Sequence, residues 1–321
     1  MTDLRDKKFV LIGGGSGNAA LLRGLKHHTD NISVIVNICD DGGSSGRIRR
    51  NLNLLPPGDI RNCLVALADD ENEMASIMAK RFDDGTLHNE SLGNLLLVAL
   101  YELTGDYLKT IDIIKNVLTV KGNVYPITTE CVSMGAVLKN GKDIVGESRI
   151  APGVLRYRSP VDRVRLIPEN SSLLEECRTA IREADVIIYS PGSLYTSLIP
   201  NLLIPGMSEE LEKARAVKIL MANAMSEHGE TDGFTVSDIV RAVERHVPGR
   251  RIVDTVIYNT APIDRGTLAR YKKEHASAIE NILDEDLAER MNFIGEDIIC
   301  LQNGSVRHDA DKLWELLERT I

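Results

Sequence analysis

Three short stretches of this chain carry the residue types that hold phosphate. Gly13-Gly14-Gly15-Ser16-Gly17 follows the apolar run Phe9 to Ile12 and opens a helical pattern at Asn18. Glycines in such a turn let backbone N–H groups close on an anion, and the helix N-terminus adds partial positive charge. After the run Val186 to Tyr189 comes Ser190-Pro191-Gly192-Ser193-Leu194-Tyr195-Thr196-Ser197, where Gly192 permits close approach and Ser193, Thr196 and Ser197 supply hydroxyl donors about Tyr195. Asp40-Asp41-Gly42-Gly43-Ser44-Ser45-Gly46-Arg47 closes the run Ile32 to Cys39. Asp40 and Asp41 stand where a dinucleotide fold keeps its ribose-binding carboxylate, and they suit Mg²⁺ equally well. Ser44, Ser45 and Arg47 add hydroxyls and a cation beside them.

Each turn also has a plainer reading. Gly13-x-Gly15-x-x puts Asn18 where a dinucleotide fingerprint has its third glycine, so tight strand-to-helix packing alone explains the first turn. A solvated acidic turn explains Asp40 and Asp41, and helix capping explains Ser193. Pro56-Pro57-Gly58-Asp59-Ile60-Arg61-Asn62 reads as a rigid approach to a helix with Asp59 as N-cap and Asn62 as a candidate polar contact. In Asn89-Glu90-Ser91-Leu92-Gly93-Asn94 the pair Gly93 and Asn94 lowers helix propensity without helping packing, which points to a role for Ser91 and Asn94 at that terminus. Asn223 opens a polar loop running to Gly233, and loops of that length are usually functional.

Conventional catalytic sets are missing. The histidines outside the adjacent pair His27 and His28 stand apart, with no H-x-x-x-H spacing, no G-x-S-x-G elbow and no G-K-[ST] phosphate loop. Binding is therefore more legible than turnover, and no residue is assigned a catalytic role. A nicotinamide-dependent oxidoreductase finds no hydride-transfer partner here.

The elements that must position these turns are β-branched runs alternating with helical patterns, the signature of a parallel sheet covered on both faces. Strands are predicted at Phe9 to Ile12, Ile32 to Cys39, Val186 to Tyr189, Val217 to Met221, Ile252 to Tyr258 and Ile298 to Leu301. Residues 59 to 120 read as a helical insertion with Asp59, Ser91 and Asp106 as N-caps. Val132 to Leu138 and Ile144 to Ile150 flank Lys139-Asn140-Gly141-Lys142, a hairpin signal that predicts an antiparallel edge. The fold class expected is α/β: a doubly wound, mostly parallel Rossmann-like sheet with a helical insertion and an antiparallel hairpin edge. No repeat or flexible linker interrupts it, so one elaborated domain over 1–321 is expected.

Composition narrows the partners. The 321 residues are 43% hydrophobic and 26% charged, and 38 Lys and Arg against 47 Asp and Glu leave a net charge of −9. Without a clustered basic face, a nucleic acid is not the expected partner. No apolar run approaches the ~20 residues of a membrane span. Five scattered cysteines with no C-x-x-C pair and no secretory leader suggest a reducing, cytoplasmic setting.

Taken together, G-G-G-S-G-N-A-A-L-L-R-G-L-K, D-D-G-G-S-S-G-R-I-R, P-P-G-D-I-R-N-C-L-V-A-L-A-D, S-L-G-N-L-L-L-V-A-L and P-G-S-L-Y-T-S-L-I-P-N-L-L resemble the gluconeogenesis factor family (YvcK-like), within the superfamily of 2-phospho-L-lactate transferase (CofD-like). The resemblance spans the chain from Phe9 to the last helix. It implies a cytoplasmic bacterial protein that binds a UDP-sugar, notably UDP-N-acetylglucosamine, and supports cell shape and wall synthesis on gluconeogenic carbon sources. No cofactor is then required. A homo-oligomer and protein partners of cell-wall synthesis stay open. The superfamily supplies the alternative, a Mg²⁺-dependent transferase with Asp40 and Asp41 on the metal. The family has G-G-G-T-G-L where this chain has Gly13 to Asn18, and M-T-Q-P-G-E-T where this chain has M-S-E-H-G-E-T, so His228 takes no family role. The resemblance also implies that Tyr271 and Arg307 complete the site, the tyrosine by stacking on a ring and the arginine by gripping a diphosphate.

Overall fold

The computed structural model describes residues 3–69 and 73–321. Strands β1 (Phe9–Gly13), β2 (Ile32–Val36), β3 (Asn123–Pro126), β4 (Ser133–Leu138), β5 (Asp143–Val145) and β6 (Val161–Ile167) occupy the first half of the chain. The second half contributes β7 (Val186–Tyr189), β8 (Val217–Met221), β9 (Thr255–Asn259), β10 (Asn292–Glu296), β11 (Ile299–Gln302) and β12 (Ser305–His308). Among the described residues seven of them form one parallel sheet in the order β10-β9-β8-β7-β1-β2-β3.

The central strands are apolar on both sides because helices cover both sheet faces. Val10 and Ile12 of β1 and Ile35 of β2 point into one core, with Ile187 and Tyr189 of β7. Phe9, Leu11, Val34, Val36, Val186 and Ile188 point into the other, where Trp314 of the last helix packs on Phe9. Each such side chain, nearly free of solvent, contributes roughly 1.5–3 kcal/mol relative to exposure.

Order along the sheet decides where a ligand can sit. From β1 the chain steps to β2 and then β3 on one side, and it returns for β7 on the opposite side of β1. The connections therefore run away from each other at the β1/β7 boundary, which opens a crevice at the carboxyl ends of those two strands.

The expected α/β architecture is present, with local differences. The Asn-Gly hairpin forms as β4 and β5, but with β6 it makes a separate three-stranded antiparallel sheet instead of edging the parallel one. The sequence beyond Val145 turns into helix from Ile150. The edge strands β3 and β10 fell outside the predicted set, and the segment Ile298 to Leu301 belongs to the small hairpin β11–β12. The insertion is helical as expected, with helices Gly58–Leu67, Glu73–Ala79, Leu92–Thr104 and Tyr107–Leu118; residues 70–72 within it lie outside the described residues. Asp106 caps its helix through Leu108 and Lys109 N–H, whereas Ser91 stands at a helix start without a side-chain cap bond. Asp59 is not a cap, because its helix already begins at Gly58. Among the described residues no helix is long and apolar enough to cross a membrane.

Candidate functional site

The turns after β1 and β7 touch, and glycine is what lets them. A Cβ on Gly17 would lie 2.5 Å from the carbonyl oxygen of Pro191, and one on Gly14 would lie 2.6 Å from Oδ2 of Asp59. Asn223, just beyond β8, clamps the second turn: its Nδ2 donates to the Gly192 carbonyl at 2.7 Å and its Oδ1 accepts the Gly192 N–H at 3.2 Å. Asn37, beyond β2, donates to the Thr196 carbonyl at 2.9 Å. A π-helical turn at Leu194–Leu198 carries the chain on from β7, an irregularity that recurs at functional sites.

Between these turns lies a cleft of about 310 Å³. The β1 turn lines it with Gly15, Ser16 and Gly17, and the β7 turn with Gly192, Ser193 and Ser197. Asn223 and Glu227 enter from the loop after β8, and Tyr271 and Arg307 close the outer side. Arg307 lies 3.4 Å from the Ser16 hydroxyl, and the Tyr271 hydroxyl accepts the Val306 N–H at 2.9 Å, which fixes the strand that carries Arg307. Buried His308 anchors that strand to the Ala222 carbonyl at 3.1 Å, and burial lowers its pKa to about 4, so the ring is neutral.

Other expected residues lie behind the cleft. Gly13 ends β1 beneath it, against Ser190. Asn18 is fully buried, donating to Cys63 Sγ, and Tyr195 puts its ring in the core against Phe234 and His246. Tyr195 N–H and the Thr196 hydroxyl bond to Glu230. Asp40 and Asp41 begin the turn after β2, where Asp40 accepts the Gly42 N–H and Asp41 the Ser148 N–H, both at 2.9 Å. Ser44 donates to Glu90 at 2.5 Å, Arg47 pairs with the same carboxylate, and Asn94 donates to Ser44 at 3.0 Å. Arg61 joins Ser91, Asn94 and Asn62 into that network. Ser45 is buried against Gly58. The network stiffens the β2 side of the crevice without facing the cleft.

Of the acids around the crevice, sequence reasoning picked out Asp59 as a candidate site residue and missed Glu147, Glu227 and Glu230. Burial and the nearby Asp40 raise Asp59 to about 6, although the Gly15 N–H and Arg61 pull the other way. Burial, then Asp40 and Asp41, raise Glu147 to about 7; it reaches over from the hairpin sheet to Thr196. Glu230 is raised by burial and by Glu227, and Glu227 by burial, countered by its bond from Ser193 and by Arg307. Only the E-H-G-E spacing of the loop hinted at the last two. Burial favours the neutral form of each, so the crevice tolerates an anion better than its carboxyl count suggests.

Magnesium at Asp40 and Asp41 has a limited fit. Each carboxylate spends one oxygen on a backbone N–H, and among the described residues no group of three or more His, Cys, Asp or Glu is placed to hold a metal. A cation there would draw the rest of its shell from water and phosphate oxygens, a habit of Mg²⁺.

A glycine-walled crevice at the switch point of a doubly wound sheet is where open α/β folds place their ligands, and comparison makes the family specific. The family described as 2-phospho-L-lactate transferase CofD matches residues 9–299. The gluconeogenesis factor of Bacillus subtilis (strain 168) is 40% identical over 311 residues, 97% of this chain and 96% of that protein. That of Halalkalibacterium halodurans is 39% identical over 317 residues, 98% of this chain and 96% of its own. A crystal structure of a Bacillus halodurans protein, described as a member of the UPF0052 family, superposes with a TM-score of 0.92 at 38% identity, covering 97% of this chain and 99% of the other. The chain belongs to the gluconeogenesis factor group of the CofD family.

Proposed function

We propose that the cleft binds a nucleoside diphosphate sugar, UDP-N-acetylglucosamine, as a sensor that consumes nothing, and that the liganded protein serves cell shape and wall synthesis in the cytoplasm during growth on gluconeogenic carbon sources. The observation that carries the reading is the convergence of two glycine turns, Tyr271 and Arg307 on one cleft at the point where strand order reverses. Backbone N–H groups and a helix end attract a diphosphate locally, so the overall charge of −9 is no obstacle. Calorimetric titration tests this. UDP-N-acetylglucosamine should bind much more tightly than UMP; equal affinities would remove the diphosphate and sugar from the argument.

One observation favours a second reading, a transferase: the carboxyl groups Asp40, Asp41, Asp59 and Glu147 act on one another beside the cradle. Asp40 and Asp41 would then hold Mg²⁺, which neutralises phosphate charge, while Asp59 or Glu147 moves a proton near neutral pH. Incubation with Mg²⁺ and nucleotide-activated substrates discriminates. Consumption of substrate supports the enzyme, and binding without turnover supports the sensor.

A further inference from the structure

A second, smaller cavity of about 180 Å³ adjoins the cleft, and the two share Asn223 and Ala224. It lies at the carboxyl ends of β8 and β9, so it continues the crevice along the sheet edge, away from β2. Its walls are apolar: Ala224, Val236, Ile263, Leu268, Ala278 and Ile279. Its rim is made of amides. Asn259 is spent on Ala261, with Nδ2 donating to the carbonyl at 2.8 Å and Oδ1 accepting the N–H at 3.2 Å. Asn281 donates through Nδ2 to the Asn259 carbonyl at 2.9 Å, and among the described residues its Oδ1 is left to accept a ring N–H. Apolar walls for the faces of a flat ring and a few fixed polar groups for its edge are what a heterocycle site requires.

We propose that this side cavity receives the nucleobase, and that the ligand lies along the sheet edge with its base at β8 and β9, its diphosphate at the β1/β7 turns and its sugar toward Asp40 and Asp41 beyond β2. This rests on the nucleotide-sugar reading of the cleft. It gives the site a polarity: the β2 side of the crevice, where Asp40 and Asp41 begin their turn, faces the sugar end and not the ribose.

Ala278 is exposed at the mouth, so Ala278→Trp fills the cavity without entering the core, and Asn281→Ala removes the edge acceptor. Both are titrated with UDP-N-acetylglucosamine and with inorganic pyrophosphate, and folding is checked by melting. Ala278→Trp should bind the UDP-sugar at least tenfold more weakly and pyrophosphate within twofold of the unaltered protein, with Asn281→Ala showing a smaller loss of the same selectivity. If the unaltered protein binds the UDP-sugar and both variants match it, the base lies elsewhere and only this inference falls. If both variants lose pyrophosphate as strongly as the UDP-sugar, the cavity is not a base site. If the unaltered protein binds no UDP-sugar, the reading of the cleft falls and takes this inference with it.

Discussion

Replacing Arg307 is the sharpest perturbation of the cleft. Among the described residues the hydrogen bonds of its guanidinium are long, 3.4 Å to the Ser16 hydroxyl and 3.4 Å to the Val306 carbonyl, and Glu227 attracts it. Arg307→Ala should therefore leave the melting temperature nearly unchanged. On the nucleotide-sugar reading proposed above the same fork meets a diphosphate, and a hydrogen bond to a charged partner contributes about 1.5–3 kcal/mol. Arg307 is half-buried, so solvent screens part of the attraction, and the equivalent of one such bond is the expected loss. That corresponds to a dissociation constant weaker by about 10- to 150-fold. Arg307→Lys keeps the charge but not the planar fork and should fall between. The assay is calorimetric titration with UDP-N-acetylglucosamine at two salt concentrations, since a charge contact weakens as salt rises. Less than a threefold change in Arg307→Ala, with the fold intact, would refute the assignment of this arginine to the diphosphate.

The acids predict a pH dependence. As pH falls from 8 to 6, Glu147, near 7, and then Asp59, near 6, take up protons and the cleft grows less negative. UDP-N-acetylglucosamine, whose diphosphate diester does not titrate in that interval, should bind more tightly at pH 6 than at pH 8, and Glu147→Gln should flatten the profile measured by titration. The sign for stability follows from the same shift: Glu147 holds its proton more tightly folded than unfolded, so its contribution to unfolding free energy falls as pH climbs from about 4.5 to about 7 and then levels off, and chemical denaturation of Glu147→Gln should show a shallower slope, with the parts from Asp59 and Glu230 remaining. Gly17→Val drives a side chain into the Pro191 carbonyl and should both abolish binding and lower the melting midpoint by roughly 1–5 °C, from a strain of about 1–3 kcal/mol. Tyr271→Phe loses only the bond from Val306 N–H and should cost about 0.5–1.5 kcal/mol of stability with modest loss of affinity, whereas Tyr271→Ala should weaken binding the more; equal affinities of the two variants would mean that the ring touches no ligand.

The glycine turns and the strands before them were legible because a buried parallel strand must be apolar throughout and turns that pack as closely as these need glycine. The edge strands were not. Asn123–Pro126 ends in proline and Asn292–Glu296 contains a glycine and is half-exposed, so neither shows the pattern of a central strand. Asp59 read as a cap from its place after Pro57-Gly58, yet its carboxylate meets the Gly15 N–H across the crevice, a contact between two helix starts that no local pattern encodes. Glu147 was invisible and Glu230 only hinted at for the same reason: an acid gains its raised affinity for protons from what folding packs around it, here burial first, then Asp40 and Asp41 for one and Glu227 for the other.

The contact of Gly17 with Pro191 joins the two halves of the sheet, wound outward in opposite directions from the β1/β7 seam. Any guest gripping both turns stitches the early strands to the late ones across their seam. The molecule would then register metabolite abundance as resistance to prying those halves apart, detectable as slowed amide exchange in β1 and β7 together, and a partner sensitive to that stiffness could respond without meeting the guest itself.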